Sequence, residues 1–109
     1  MSDDAPLGTF EEQVMLAVLR TAEEAYGMSV RCELERVTDR EVTIGAVYAT
    51  LDRLEAKGLI ASSRTGGEKP ARRLFAVTRR GAGALAASRE MRDRLWRGVD
   101  LRALLGAKG

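Results

Sequence analysis

The sequence predicts a mainly α-helical domain with one two-stranded β hairpin, extended by a long C-terminal helix. Three observations carry this. Apolar residues recur at helical spacing in four separate segments. Between residues 59 and 77 the pattern changes to two short strand-like runs. Those runs are split by Thr65-Gly66-Gly67-Glu68-Lys69-Pro70, a turn composition.

Residues 1–7 read as a loose tail containing Pro6. The first helix is expected from about Thr9 to Glu24, with Thr9 and Glu12 spaced as a capping box. Phe10, Val14, Ala17 and Val18 share one face, and Met15, Leu16 and Leu19 fill much of the rest. A helix apolar nearly all round is expected to touch both its own core and a second subunit. Tyr26-Gly27 is a connection, after which Ser29 caps a short helix, about Val30 to Val37, with Val30, Leu34 and Val37 inward. Thr38 to Val42 is a polar turn. Thr43 caps a third helix, Ile44 to Lys57, with Ile44, Val47, Leu51 and Leu54 inward and Gly58 at its C-terminal stop.

Leu59 to Arg64 and Arg72 to Val77 read as the two strands of the hairpin. Thr78 caps a last helix that continues to about Arg97. Ala84, Leu85, Met91, Leu95, Trp96 and Val99 lie in one arc of it, with Arg89, Glu90, Asp93 and Arg97 opposite. Leu101, Leu104 and Leu105 fall off that stripe. This predicts a break near Gly98-Val99-Asp100 and a short turn capped by Asp100.

Composition narrows the function. The chain has 109 residues, enough for one domain, and only five aromatic residues, so its core is aliphatic. It has no histidine and one cysteine, Cys32. A metal centre or a histidine-dependent nucleophile cannot be assembled from that inventory, and no cofactor is expected. Cys32 sits in a predicted helix as a packing or half-buried thiol, with a redox role as the other reading. One cysteine gives no intrachain disulfide, so a cytoplasmic protein is expected. No apolar run approaches a membrane span, and the acidic Met1-Ser2-Asp3-Asp4 start is unlike a signal peptide.

The net charge of +2 hides a strong asymmetry. Residues 1–61 carry 6 basic and 12 acidic side chains, net −6, whereas residues 62–97 carry 10 and 3, net +7. A basic block beside an acidic one fits a surface directed at a polyanion, although a solvated charged face would look the same.

Three helices followed by a hairpin is the winged helix-turn-helix plan, whose third helix enters the DNA major groove. Gly45, Ala46 and Ala49 project from that helix away from its apolar stripe, leaving room for close backbone approach. Tyr48 and Arg53 flank them and can reach phosphate or guanine; half-buried packing and a solvated charge are the plain alternatives. Thr43 and the open N–H groups at the helix start offer a phosphate seat. Lys69, Arg72 and Arg73 charge the wing, with Arg64 on its first strand. A charge-guarded edge strand is the alternative for them. With Ser29, these residues complete the candidate DNA-contacting set: Ser29, Thr43, Gly45, Ala46, Tyr48, Ala49, Arg53, Lys69, Arg72 and Arg73. The apolar stripe of the last helix is too large to leave exposed, which predicts a homodimer. Its interface is expected from Phe10, Val14, Val18, Leu85, Met91, Leu95, Trp96 and Val99. Trp96 is either a packing anchor there or one wall of a pocket for a small hydrophobic or aromatic effector.

The segments AYGMSVRCEL, TIGAVYATLDRLEAKGLI and RRLFAVTRRGAGAL resemble the N-terminal domain of PadR-family regulators, named for the phenolic acid decarboxylase repressor. The resemblance covers about residues 7–90. Ile44 to Ile60 is its most specific part, with Gly45, Tyr48, Leu51, Leu54 and Gly58 in register, together with Val77-Thr78 and Gly81 after the wing. It implies a bacterial winged helix dimer that acts as a repressor, with Tyr48 on the DNA; separately, the two-fold symmetry of the expected homodimer predicts a pseudo-palindromic operator. The short C-terminus resembles the subfamily that dimerises through one long helix, some members of which bind planar drugs between subunits. The wing departs from the family pattern: both tyrosines of its usual Tyr-Tyr pair are gone, and the segment reads Arg72-Arg73-Leu74-Phe75.

The expected organisation is thus a tail (1–7), a DNA-binding winged helix domain (8–78) and a C-terminal dimerisation helix and tail (79–109). The expected function is a sequence-specific transcriptional regulator, not an enzyme. The alternative is a winged helix that binds another protein and no DNA.

Overall fold

The computed structural model describes residues 6–65 and 72–106. In chain order these form α1 (Thr9–Thr21), a 3-10 turn (Ala22–Glu24), α2 (Gly27–Thr38), α3 (Ile44–Ala56), β1 (Ile60–Arg64), β2 (Arg73–Val77) and α4 (Arg79–Trp96). The strands pair antiparallel from Ile60 opposite Val77 to Arg64 opposite Arg73. Four helices and a two-stranded wing are the predicted winged helix architecture.

Two predicted caps form. The Thr43 hydroxyl accepts the Ala46 N–H at 3.1 Å, and the Thr78 hydroxyl accepts the Gly81 N–H at 3.0 Å. Two others are corrected. α1 is capped at Gly8, whose N–H donates to the Glu11 carboxylate at 2.9 Å, so the Thr9 and Glu12 box does not form. Glu12 instead pairs with Arg92 of α4. α2 begins at Gly27 with Tyr26 as its N-cap, so Ser29 lies inside the first turn and caps nothing. α1 also stops three residues early: the Thr21 hydroxyl donates to the carbonyls of Ala17 and Val18, and Ala22 turns the chain at φ 52°.

The core is aliphatic around one aromatic ring, Phe75. Val14, Met15, Ala17 and Val18 of α1 meet Val30 and Leu34 of α2, Val47, Leu51 and Leu54 of α3, and Leu59, Ile60 and Leu85. Val37 faces solvent rather than this core, and Cys32 is exposed rather than half-buried.

β2 is held on both of its edges. β2 pairs with β1 on one side. On the other, the Phe75 N–H donates to the Ala25 carbonyl at 2.9 Å and Tyr26 bridges Leu74. α4 is anchored where α3 ends. Thr78 donates its hydroxyl to the Gly58 carbonyl at 2.7 Å and its N–H to the Leu59 carbonyl at 3.1 Å. Gly81 packs so closely that a Cβ there would lie 2.1 Å from the Leu59 carbonyl oxygen.

Beyond Ser88 every residue of the helix to Trp96 is exposed, with the Arg92–Glu12 pair as its tether to α1. The radius of gyration is accordingly 16.6 Å, against about 13 Å for a compact chain of this length. The predicted break is present: Gly98 has φ 82°, and the Asp100 carboxylate accepts the Arg102 N–H at 3.0 Å, starting the terminal turn.

Candidate nucleic-acid interface

α3 presents Gly45, Ala46 and Ala49 to solvent, while Val47, Thr50, Leu51 and Leu54 face the core. The predicted outward face is therefore real, and it is nearly bare of side chains. Tyr48 is half-buried beside it. Its phenol lies across Gly27, where a Cβ would come within 2.3 Å of both Cζ and Oη. Its ring also sits 6.4 Å from that of Phe75, tilted 56°. Gly27 thus lets α2 begin directly under the tyrosine.

Between the start of α2, Tyr48 of α3 and the wing lies a groove of about 440 Å³ lined by Tyr26, Met28, Ser29, Tyr48 and three arginines, Arg64, Arg72 and Arg73. The Arg72 guanidinium stacks 4.4 Å above the Tyr26 ring, which holds the cation at the groove wall without neutralising it. Arg72 and Arg64 are exposed and make no ion pair among the described residues.

Two predicted contacts are otherwise engaged. Arg73 is only 29% exposed, and its Nη2 lies 3.1 Å from Asp52 and 2.9 Å from Glu55, both on α3. Its guanidinium also covers the Phe75 ring at 4.8 Å. Arg53 turns toward α1, with Nη2 donating to Thr50 at 3.2 Å and Nε 3.7 Å from Glu11. The Glu11 carboxyl is held below its ordinary pKa by the Gly8 N–H and by Lys57. Lys69 lies outside the described residues.

The sequence reading missed Tyr26, Met28 and the pairing of Asp52 and Glu55 with the wing. Asp52 and Glu55 sit three apart on one helix face, a spacing that could have signalled a shared partner.

The predicted dimer residues divide. Val14 and Val18 are fully buried in the subunit's own core and Leu85 nearly so, and Phe10 packs on that core. This corrects Val14, Val18 and Leu85 as interface residues, because an α1 face this apolar is used up by α2 and α3. Met91, Leu95, Trp96 and Val99 are exposed, as are Leu16 and Leu19 on α1 and Leu101, Leu104 and Leu105 after the break.

Among the described residues no cluster of His, Cys, Asp and Glu could hold a metal ion, and no helix is long and apolar enough to cross a membrane.

Comparison with known proteins agrees with this architecture. A comparison with curated proteins finds no match. Among solved structures, RosR of H. salinarum superposes with a TM-score of 0.67 at 26% identity, covering 89% of this chain and 84% of that one. A PadR-like transcriptional regulator from Bacillus cereus superposes with a TM-score of 0.68 at 20% identity, covering 94% of each chain. A transcriptional regulator from Clostridium thermocellum gives 0.66 at 22% identity, covering 79% of this chain and 85% of that one. The profile of the transcriptional regulator PadR-like family matches residues 15–87, from the middle of α1 into α4. With its bare-faced third helix beside a basic wing groove, this chain belongs to the PadR-like family of transcriptional regulators and is not an enzyme.

Proposed function

We propose that this regulator binds double-stranded DNA as a homodimer at a pseudo-palindromic operator and represses transcription there. The observation that carries the reading is the bare outward face of α3 together with the basic groove that the wing forms with Tyr48 and the start of α2. Gly45, Ala46 and Ala49 leave the helix backbone open to a base-pair edge, and Arg64 and Arg72, in the groove with Tyr48, supply cations for the flanking phosphates. The first turn of α3, where Thr43 caps only the Ala46 N–H, adds the backbone donors of Ile44 and Gly45 as a phosphate seat.

Residues 8–78 supply this surface, and residues 79–109 join two copies. Support for the dimer comes from the protruding arm. Leu95 is 70% exposed and Trp96 56% exposed, on a helix that leaves its own domain. Apolar side chains at that density are covered in solution by a second arm and by Leu16 and Leu19 of α1. Trp96 then offers a flat wall between subunits to a small hydrophobic or aromatic effector, which releases the operator. Such a protein works in the bacterial cytoplasm, on the nucleoid.

The test is a gel shift on the DNA upstream of the protein's own gene at two salt concentrations. A shift that weakens steeply with salt supports the reading. Absence of any salt-sensitive shift sinks it and favours a protein-binding role.

A further inference from the structure

The wing carries a like-charge pair across its ladder. Arg64 and Arg73 are directly opposed at the end of the described hairpin, and side chains opposed in an antiparallel pair share one face. That arrangement is repulsive unless one charge is taken up elsewhere. Asp52 and Glu55 take up Arg73. Glu55 does more: its second oxygen accepts the Ser62 hydroxyl at 2.8 Å. One carboxylate on α3 therefore holds a side chain from each strand, Ser62 of β1 and Arg73 of β2.

We propose that Glu55 is a positioning residue that fixes the wing's angle to the reading helix, using Arg73 as its anchor and leaving Arg64 and Arg72 as the cations that meet DNA. This rests on the DNA-binding reading above, but the clamp has a signature of its own. Arg73 is neutralised before DNA arrives, so it releases no counterion on binding. Its removal loosens the wing, and affinity falls by the fraction of molecules whose wing is out of place. Removing Arg72 or Arg64 instead deletes a phosphate contact, which shows in the salt dependence.

The experiment measures affinity for the DNA upstream of the protein's own gene across salt concentrations for wild type, R64A, R72A, R73A, E55Q and the E55Q/R73A double variant. R64A and R72A should each reduce the slope of log K against log salt by about 1.8 per bound dimer, the value for one phosphate lost at each of two wings. R73A and E55Q should each weaken binding about tenfold with the slope unchanged. The double variant should bind no worse than either. If R73A flattens the slope as R72A does, Arg73 touches phosphate and the clamp is wrong. The clamp is equally wrong if E55Q tightens binding, or if the two losses multiply in the double variant.

Hydrogen exchange of the β1 and β2 amides in the free protein separates the two readings. E55Q and R73A should speed that exchange equally, and the double variant no further. If wild type shows no salt-sensitive binding while this coupling holds, DNA binding has failed and the clamp stands. Independent effects on exchange overturn the clamp whatever the DNA result.

Discussion

Tyr48 rests on Gly27 with no room between them for even one methyl group. The contact joins the outward edge of α3 to the first turn of α2, and through Phe75 to the root of the wing. It sets where the phenol hydroxyl points.

Gly27→Ala should therefore displace Tyr48. The blocking atoms belong to a ring that can swing, so the stability loss should be modest, about 1 kcal/mol in urea unfolding. Operator affinity should fall to the level of Tyr48→Ala, and combining the two changes should cost no further affinity. An unaltered affinity in Gly27→Ala would mean that the tyrosine's position is immaterial to binding.

Gly81 and Gly83 sit two residues apart in α4 and should respond oppositely to alanine. At Gly81 the added Cβ meets the Leu59 backbone oxygen, which cannot rotate away, and a loss of about 2–3 kcal/mol is expected. At Gly83 nothing lies within 4 Å, and alanine should stabilise by about 0.5–1 kcal/mol through its helix propensity. Chemical denaturation of both variants checks the contrast, and destabilisation by Gly83→Ala would contradict it.

Leu95→Asp should yield monomers while leaving the subunit's fold intact, since Leu95 makes no part of the core. Analytical ultracentrifugation reads the mass, and circular dichroism confirms the helices. A variant that still sediments as a dimer would remove α4 from the interface.

Glu33 is gripped by two guanidiniums, Arg20 Nε at 2.6 Å and Arg36 Nη2 at 2.7 Å. Hydrogen bonds from Arg36 and then Arg20 lower its pKa from 4.5 to about 2. A carboxyl with a depressed folded pKa stabilises above its unfolded pKa, and that contribution fades as pH falls toward the folded value. Wild type should thus melt higher than Glu33→Gln at pH 6, with the gap closing between pH 4.5 and 2. A gap that persists at pH 2 would show that the charge is not its source.

Local signals in the sequence were dependable where local chemistry decides the outcome. The caps at Thr43 and Thr78 and the break at Gly98 need only neighbours within a few residues. At α1 the same reasoning chose Thr9, because a glycine offers no side chain to recognise as a cap. The outward triad of Gly45, Ala46 and Ala49 was also legible, since helix periodicity alone assigns it. Arg73 was not. Its acids lie 18 and 21 positions earlier, and only the packing of β2 on α3 brings them together. Val14 and Val18 misled for a related reason: an apolar face does not say which of two candidate surfaces covers it.

The joint at Gly58, Leu59, Thr78 and Gly81 makes a lever of the C-terminal arm. The reading helix ends, and the arm begins, on the same three hydrogen-bonded carbonyl and hydroxyl groups, with bare backbone as the fulcrum. The whole of α4, its packed first half included, is 18 residues and about 27 Å long, so a pivot of the helix by about 10° here moves its far end by about 5 Å. In the proposed dimer, whatever shifts the far ends of the two arms rotates their fulcrums and so alters the spacing between the two copies of α3.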